Sequence, residues 1–172
     1  MNLLDYLPVV PDFPKPGILF RDISPLLANA KAFEYAIDEM HRVAQELNYT
    51  HILGIESRGF IFGAALAQRS QKGLVMARKP NKLPLATYRE SYGLEYGVDV
   101  LEIQQNILPP GSSVLLVDDV LATGGTMLAA SQLVRQSQSI PVGAIALLEI
   151  EFLAGSKKLA EHSIGCQSIL KI

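Results

Sequence analysis

The chain has 172 residues, a formal net charge of −2, 49% hydrophobic content and one cysteine. That length suits a single domain with a full hydrophobic core. The mildly acidic balance excludes a general nucleic-acid binder, no apolar run approaches the ~20 residues of a membrane span, and a lone Cys166 excludes an intrachain disulfide or a cysteine metal cluster, leaving it as a small apolar filler.

The opening stretch MNLLDYLPVVPDFPKPG has neither a basic start nor a continuous apolar run and carries Asp5 and Asp12. No secretory leader is predicted from it, and a cytoplasmic location is expected. Pro8, Pro11, Pro14, Pro16 and Pro25 restrict φ along the same region, which predicts an extended, irregular arm. Ser24-Pro25 looks like a helix start, and a longer amphipathic helix follows with Phe33, Ala36, Ile37, Met40, Val43, Ala44 and Leu47 on one stripe. His51–Ile55 reads as a short buried strand, Gly59–Arg69 as a helix apolar nearly all round, and Leu74–Ala77 as another strand. Val114–Val117, Gly125–Gln136 and Val142–Leu148 continue the pattern as strand, helix and strand, after which Phe152–Ala160 looks helical and 163–170 extended. Short strands alternating with helices predict an α/β domain with a mostly parallel central sheet flanked by helices.

Residues 80–97 fit no element well. Tyr88, Tyr92 and Tyr96 recur at a helical spacing, but Gly93 and Gly97 weaken a helix and Pro80 and Pro84 break its approach. A flexible loop or loose hairpin is expected there, of the kind that serves as a lid. Arg78, Lys79, Lys82 and Arg89 make the stretch locally cationic, either as a solvated face or as an anion site.

The run VLLVDDVLATGGTM at 114–127 carries chemistry. In an open parallel sheet, ligands sit beyond the carboxyl ends of the strands, and Asp118 and Asp119 are read as falling at such an end. Ala122, Thr123, Gly124, Gly125 and Thr126 then turn into a helix whose first N–H groups and positive dipole end would hold a phosphate. Carboxylates beside that cradle would repel the anion unless they served another part of the ligand, such as a sugar diol or a divalent cation. No lysine follows Gly125 in the P-loop position and no G-x-G-x-x-G is present, so the common nucleotide motifs are excluded. Ser57 lacks the G-x-S-x-G elbow of a serine hydrolase, and His41, His51 and His162 show no metal-binding spacing.

This run resembles the phosphoribosyl-pyrophosphate (PRPP) signature of type I phosphoribosyltransferases. Three further stretches, DFPKPGILFRDISP (12–25), ESRGF (56–60) and SYGLEYG (91–97), resemble the adenine phosphoribosyltransferase family in particular. The resemblance implies a type I phosphoribosyltransferase-like fold with an N-terminal arm or hood (1–30) at the base site and a flexible catalytic loop (80–97). It implies the reaction of adenine with PRPP to give AMP and pyrophosphate, with Mg²⁺, in a homodimer that binds no nucleic acid and no membrane. Carried over residue by residue, Asp118 and Asp119 would engage the ribose hydroxyls, and possible Mg²⁺ contacts would run through the same pair. Ala122 to Thr126 would wrap the 5′-phosphate. Ser57, Arg58, Arg78, Lys79 and Lys82 would bind pyrophosphate, from the same or a neighbouring subunit, with a strained peptide expected between Ser57 and Arg58. Glu95 would act with Arg58 in catalysis, as the acid/base near purine N7, and Tyr96 would cover the site. Leu19, Phe20, Arg21 and Ile150 would hold adenine. Hypoxanthine inverts the polarity of N1 and the 6-substituent, so a site set for adenine would leave two buried groups unpaired at about 1–3 kcal/mol each. The alternatives are a transferase for another purine or pyrimidine base and a PRPP-sensing regulator of the same fold without catalysis.

Overall fold

In the computed structural model, which describes residues 1–94 and 97–172, the proline-rich arm is a 3₁₀ turn (Leu3–Tyr6) followed by an antiparallel ribbon of β1 (Val9–Pro11) and β2 (Leu19–Arg21). Helix α1 (Ser24–Ala28) begins at the predicted Ser-Pro pair, but Ser24 does not cap it; the Asp22 carboxylate accepts from both the Ser24 N–H (2.9 Å) and its hydroxyl (2.6 Å). Helix α2 (Ala30–Ala44) follows, capped by Asn29, whose side chain accepts from the Ala32 N–H at 3.0 Å. Its stripe of Ala36, Ile37, Met40, Val43 and Ala44 is buried as the spacing predicts, and Phe33 is half-buried against Phe62.

The rest of the chain alternates strand and helix: β3 (His51–Ile55), α3 (Gly59–Ser70), β4 (Gly73–Ala77), a hairpin of β5 (Thr87–Leu94) and β6 (Gly97–Gln104), β7 (Ser113–Leu121), α4 (Gly125–Gln136), β8 (Ile140–Glu149), α5 (Gly155–Glu161) and β9 (Cys166–Lys171). The central sheet is parallel throughout in the order β4-β3-β7-β8-β9. Both of its faces are covered, which is why β3 and the first half of β7 are runs of consecutive buried apolar residues. One core gathers Ile52, Leu115, Val117, Ile145 and Leu147 under α2 and α3; the other gathers Leu53, Ile55, Leu116, Ala144 and Ala146 under α4, α5 and the hairpin. Cys166 is half-buried on β9, and burial pushes its thiol up to about 12, so it stays protonated and acts as filler.

One expectation changes and one alternative is decided. Strand β7 does not stop at Val117 but runs through both aspartates to Leu121. The reason is its neighbour: β8 continues alongside, pairing Asp118 with Ala146 and Val120 with Leu148, so the backbone of the acidic pair has hydrogen-bond partners. On the other side β3 pairs only as far as Gly54 opposite Val117. Of the flexible loop or loose hairpin expected over 80–97, the second half forms the hairpin: Thr87–Leu94 pairs in register with Gly97–Gln104, from Thr87 opposite Gln104 to Leu94 opposite Gly97. Alternating Tyr, Leu and Ile side chains, with Tyr92, Leu101 and Ile103 buried, favour the strand over the helix that the tyrosine spacing suggested. Residues 80–86 remain irregular, and the expectations for Glu95 and Tyr96 lie outside the described residues.

Candidate active site

Chain order places the site. From β3 the chain crosses to β4 on one side, and β7, β8 and β9 build outward on the other, so the order of strand addition, not the strand direction, reverses between β3 and β7. Crevices at such a switch point lie beyond the strand carboxyl ends and accept ligands. Here β3 delivers Glu56, Ser57 and Arg58, while β7 projects Asp118 and Asp119 past the point where β3 has left. The space between them is a cavity of about 300 Å³, lined also by Lys79, Tyr92, Ala122 and Thr126. The peptide between Glu56 and Ser57 is cis, one bond before the Ser57–Arg58 position at which strain was expected. Gly59 lets α3 start against β7, because a Cβ there would stand 2.8 Å from Asp118 Oδ1 and 2.9 Å from the Val117 carbonyl oxygen.

Asp119 is 3% exposed, and Arg58 Nε lies 2.9 Å from its Oδ2. The approach is off the line of a hydrogen bond, so this oxygen is charge-paired yet accepts no hydrogen bond. Asp118 accepts from the Asp119 N–H at 2.9 Å. Burial raises the Asp118 carboxyl well above the ordinary carboxylate range, and repulsion from Asp119 adds to the rise. Asp119 is raised by burial too, with Arg58 opposing. Asp119 Oδ2, which accepts no hydrogen bond, has acceptor capacity for a hydroxyl group, which donates.

Past β7, Ala122, Thr123, Gly124 and Thr126 close a small cavity of about 60 Å³ together with Asp118. Gly124 adopts φ +78°, open to glycine and strained for other residues, and a Cβ there would stand 2.9 Å from the Gly155 carbonyl oxygen. No side chain caps the N-terminus of α4, so its first amides and dipole are available to an anion. Gly125, expected in the same cradle, lines instead a separate cavity of about 340 Å³ beneath the hairpin.

A third and larger space, about 700 Å³, opens between the arm and the segment after β8. Leu19, Arg21 and Ile150 line it as expected, joined by Val9, Ile18, Phe152 and Leu153. Phe20 does not line it; its ring meets Phe13 edge-on at 5.0 Å and the Arg58 guanidinium at 5.2 Å, tying the arm to the sheet-end crevice. Ala122 and Thr123 line this cleft as well as the small cavity, so the spaces are contiguous.

The predicted pyrophosphate cations part company. Lys79 lines the crevice, whereas Arg78 faces Glu56, with Nε and Nη2 each 3.3 Å from its carboxylate oxygens, and donates to the Lys82 carbonyl oxygen at 3.2 Å. Burial alone would raise Glu56, but the Lys79 N–H at 2.7 Å and Arg78 outweigh it and hold the carboxyl below its usual value. The Lys82 side chain is exposed and does not line the crevice. Sequence reasoning missed Tyr92, Asp99 and Phe152. Tyr92 and Asp99 face each other across the hairpin, and that register was not readable without the pairing of β5 with β6. Phe152 lies two residues past Ile150 and could have been found from that spacing.

A crevice lined by Asp118 and Asp119 thus adjoins a helix start that no side chain caps, and residues 26–171 match the family described as the phosphoribosyl transferase domain. Closer relatives are more particular. The adenine phosphoribosyltransferase of Polynucleobacter necessarius subsp. necessarius (strain STIR1) is 65% identical over 171 residues, 99% of each chain. The structure also overlays that of adenine phosphoribosyltransferase from Thermoanaerobacter pseudethanolicus ATCC 33223 with a TM-score of 0.95 at 43% identity, covering 99% of this chain and 98% of the other. The Saccharomyces cerevisiae adenine phosphoribosyltransferase, complexed with D-2,5-dideoxy-2,5-imino-altritol 1,6-bisphosphate and adenine, gives 0.90 at 38% identity over 98% and 96%. The chain belongs to the adenine phosphoribosyltransferase family and is a phosphoribosyltransferase enzyme.

Proposed function

We propose that the chain transfers the phosphoribosyl group of PRPP to adenine, giving AMP and pyrophosphate. The observation that carries the reading is the contiguity of three spaces. The apolar cleft meets the phosphate cradle at Ala122 and Thr123, and the cradle meets the acidic crevice at Asp118, Ala122 and Thr126. A ribose at the junction has its 5′-phosphate at the start of α4, its hydroxyls toward Asp118 and Asp119, its leaving group beside Ser57, Arg58 and Lys79, and a base in the cleft. Adenine would lie between Ile150 and the arm, its N1 and amino edge read by the backbone near Leu19 and Arg21.

In the transfer the bond from C1′ to pyrophosphate breaks, the bond from C1′ to N9 forms, and the N9 proton leaves. Cations at the crevice stabilise the charge that grows on pyrophosphate, and the Tyr-rich segment of roughly 82–96 would exclude water from the electron-poor sugar. Glu95 is assigned the proton and Tyr96 the cover. Arg78 and Lys82 keep their place in the pyrophosphate reading as residues that serve a neighbouring subunit of a homodimer. A cytoplasmic location completes the proposal.

The donor set fits Mg²⁺ carried by its substrate. Asp119 Oδ2 is buried and accepts no hydrogen bond, and among the described residues no group of three or more His, Cys, Asp or Glu could hold a metal. Mg²⁺ is commonly held through one or two carboxylates with the remaining oxygens from phosphates and water. Bound there, through Asp118 or Asp119, it would supply charge neutralisation of the pyrophosphate.

The test is release of pyrophosphate from PRPP on addition of adenine, compared with hypoxanthine at equal PRPP. Turnover with adenine at least tenfold above hypoxanthine is expected from about 1–3 kcal/mol for each mismatched polar group. Equal use of both bases would refute the base assignment, and no turnover by folded protein would refute the function.

A further inference from the structure

Lys79 stands on the irregular segment after β4 and leans over the Tyr92–Asp99 cross-strand pair of the hairpin. Its ammonium donates to the Tyr92 hydroxyl at 3.0 Å, lies 5.5 Å from the centre of the same ring, and is paired with Asp99 Oδ2. The Tyr92 hydroxyl donates in turn to Asp99 Oδ2 at 3.1 Å. The other Asp99 oxygen accepts from the Val100 N–H at 2.8 Å, which fixes the carboxylate on its own strand. Tyr92 and Asp99 are directly opposite in the hairpin register, so one cross-strand pair grips one lysine.

An ammonium has three donors. Two are taken by Tyr92 and Asp99, and Lys79 nevertheless lines the crevice with Ser57, Arg58 and the aspartate pair, while Asp99 itself does not. A free lysine carries rotamer entropy that an anion would have to overcome in ordering it; here the geometry is already set.

We propose that Asp99 is a positioning residue for the transfer: acting through Lys79 and Tyr92, it holds the third ammonium N–H toward the crevice for the pyrophosphate end of the substrate. The inference rests on the PRPP reading. It also gives the Tyr92–Asp99 pair a second task, because the grip that orients Lys79 ties β5 and β6 to the segment that follows β4.

Sodium pyrophosphate binding, measured by calorimetry apart from turnover, keeps failure of the inference distinct from failure of the function. Asp99→Ala and Lys79→Ala are each expected to weaken binding about tenfold, the size of one charge-assisted contact. The double variant is expected to bind no more weakly than Lys79→Ala alone, since Asp99 acts only through Lys79. In steady-state assays Asp99→Ala is expected to raise the KM for PRPP while leaving the KM for adenine unchanged. A general loosening of the hairpin would move both. Asp99→Asn, which keeps the shape and an acceptor but loses the charge, is expected to lie between wild type and Asp99→Ala, and it carries the test if the alanine variant fails to fold. Pyrophosphate bound by Asp99→Ala as tightly as by wild type or more tightly, or the full Asp99 loss reappearing on the Lys79→Ala background, would overturn the proposal. Wild type that binds pyrophosphate but does not consume PRPP with adenine would overturn the function and leave the Asp99 assignment standing on the binding data.

Discussion

Gly59→Ala puts the closest approach in the site under strain. An added Cβ would meet Asp118 Oδ1 at 2.8 Å, the Val117 carbonyl oxygen at 2.9 Å and Asp118 Cα at 3.2 Å, where ordinary contact begins at 3.4 Å. The shortfall is about 0.6 Å against the carboxylate and about 0.5 Å against the carbonyl, from which overpacking of about 1–3 kcal/mol is expected. Val117 pairs with β3 and β8 and cannot yield, so Asp118 must. The preference of helices for alanine, up to about 1 kcal/mol in a helix interior, returns only a fraction of that at the first residue of α3, so a net loss of about 1–2 kcal/mol is expected. For a chain of this size that lowers Tm by roughly 2–8 °C. Displacing a substrate-orienting group by several tenths of an ångström is expected to reduce kcat/KM for PRPP about tenfold. Calorimetric melting and initial-rate kinetics check the two halves. Gly165→Ala is the control, because a Cβ there meets nothing within 4 Å. A Gly59→Ala protein that melts within about 1 °C of wild type and keeps its PRPP kinetics would show that the approach of α3 to β7 does not set the aspartate.

Asp119→Asn removes the charge facing Arg58 and weakens a ribose contact; a rise in the KM for PRPP of roughly 10- to 100-fold is expected from the loss of a hydrogen bond to a charged acceptor, and an unchanged KM would rule the contact out. Asp118→Asn should stabilise the ligand-free protein at neutral pH. The sign follows from linkage: a carboxyl raised in the folded state binds its proton more tightly there than when unfolded, so stability falls as pH rises from 3.8 through the folded value, and the asparagine escapes that loss. The Tm advantage of the variant should therefore shrink as pH is lowered toward 3.8, and an advantage independent of pH would contradict the assignment. Glu95→Gln should reduce kcat by about 10²-fold or more with little change in substrate KM, as expected for a lost general acid/base; wild-type turnover across pH would exclude that role.

Much of the fold was readable in the residues because the signals are local. The burial stripe of α2, the limits Gly125–Gln136 of α4, and the apolar runs of β3 and β7 follow from periodicity, and they are where the sequence places them. The hairpin was harder: Tyr88 and Tyr92 satisfy a helical spacing as well as the alternation of a strand, and only pairing of β5 with β6 decides between them. The acidic pair shows the same division. That Asp118 and Asp119 precede a glycine turn and a helix is sequence information; that Asp119 is buried against Arg58, that α3 approaches within contact of Asp118, and that Lys79 rather than Arg78 lines the crevice are not.

Composition and pattern alone predict a parallel α/β fold and a glycine turn leading into the helix at Gly125, because turn chemistry and side-chain period act over a few residues. Where β3 stops beside β7, which cation Glu56 claims, and which one Asp99 presents to the crevice depend on groups 20 to 63 residues apart meeting at one sheet edge. Such meetings belong to packing, and no local preference of the chain encodes them.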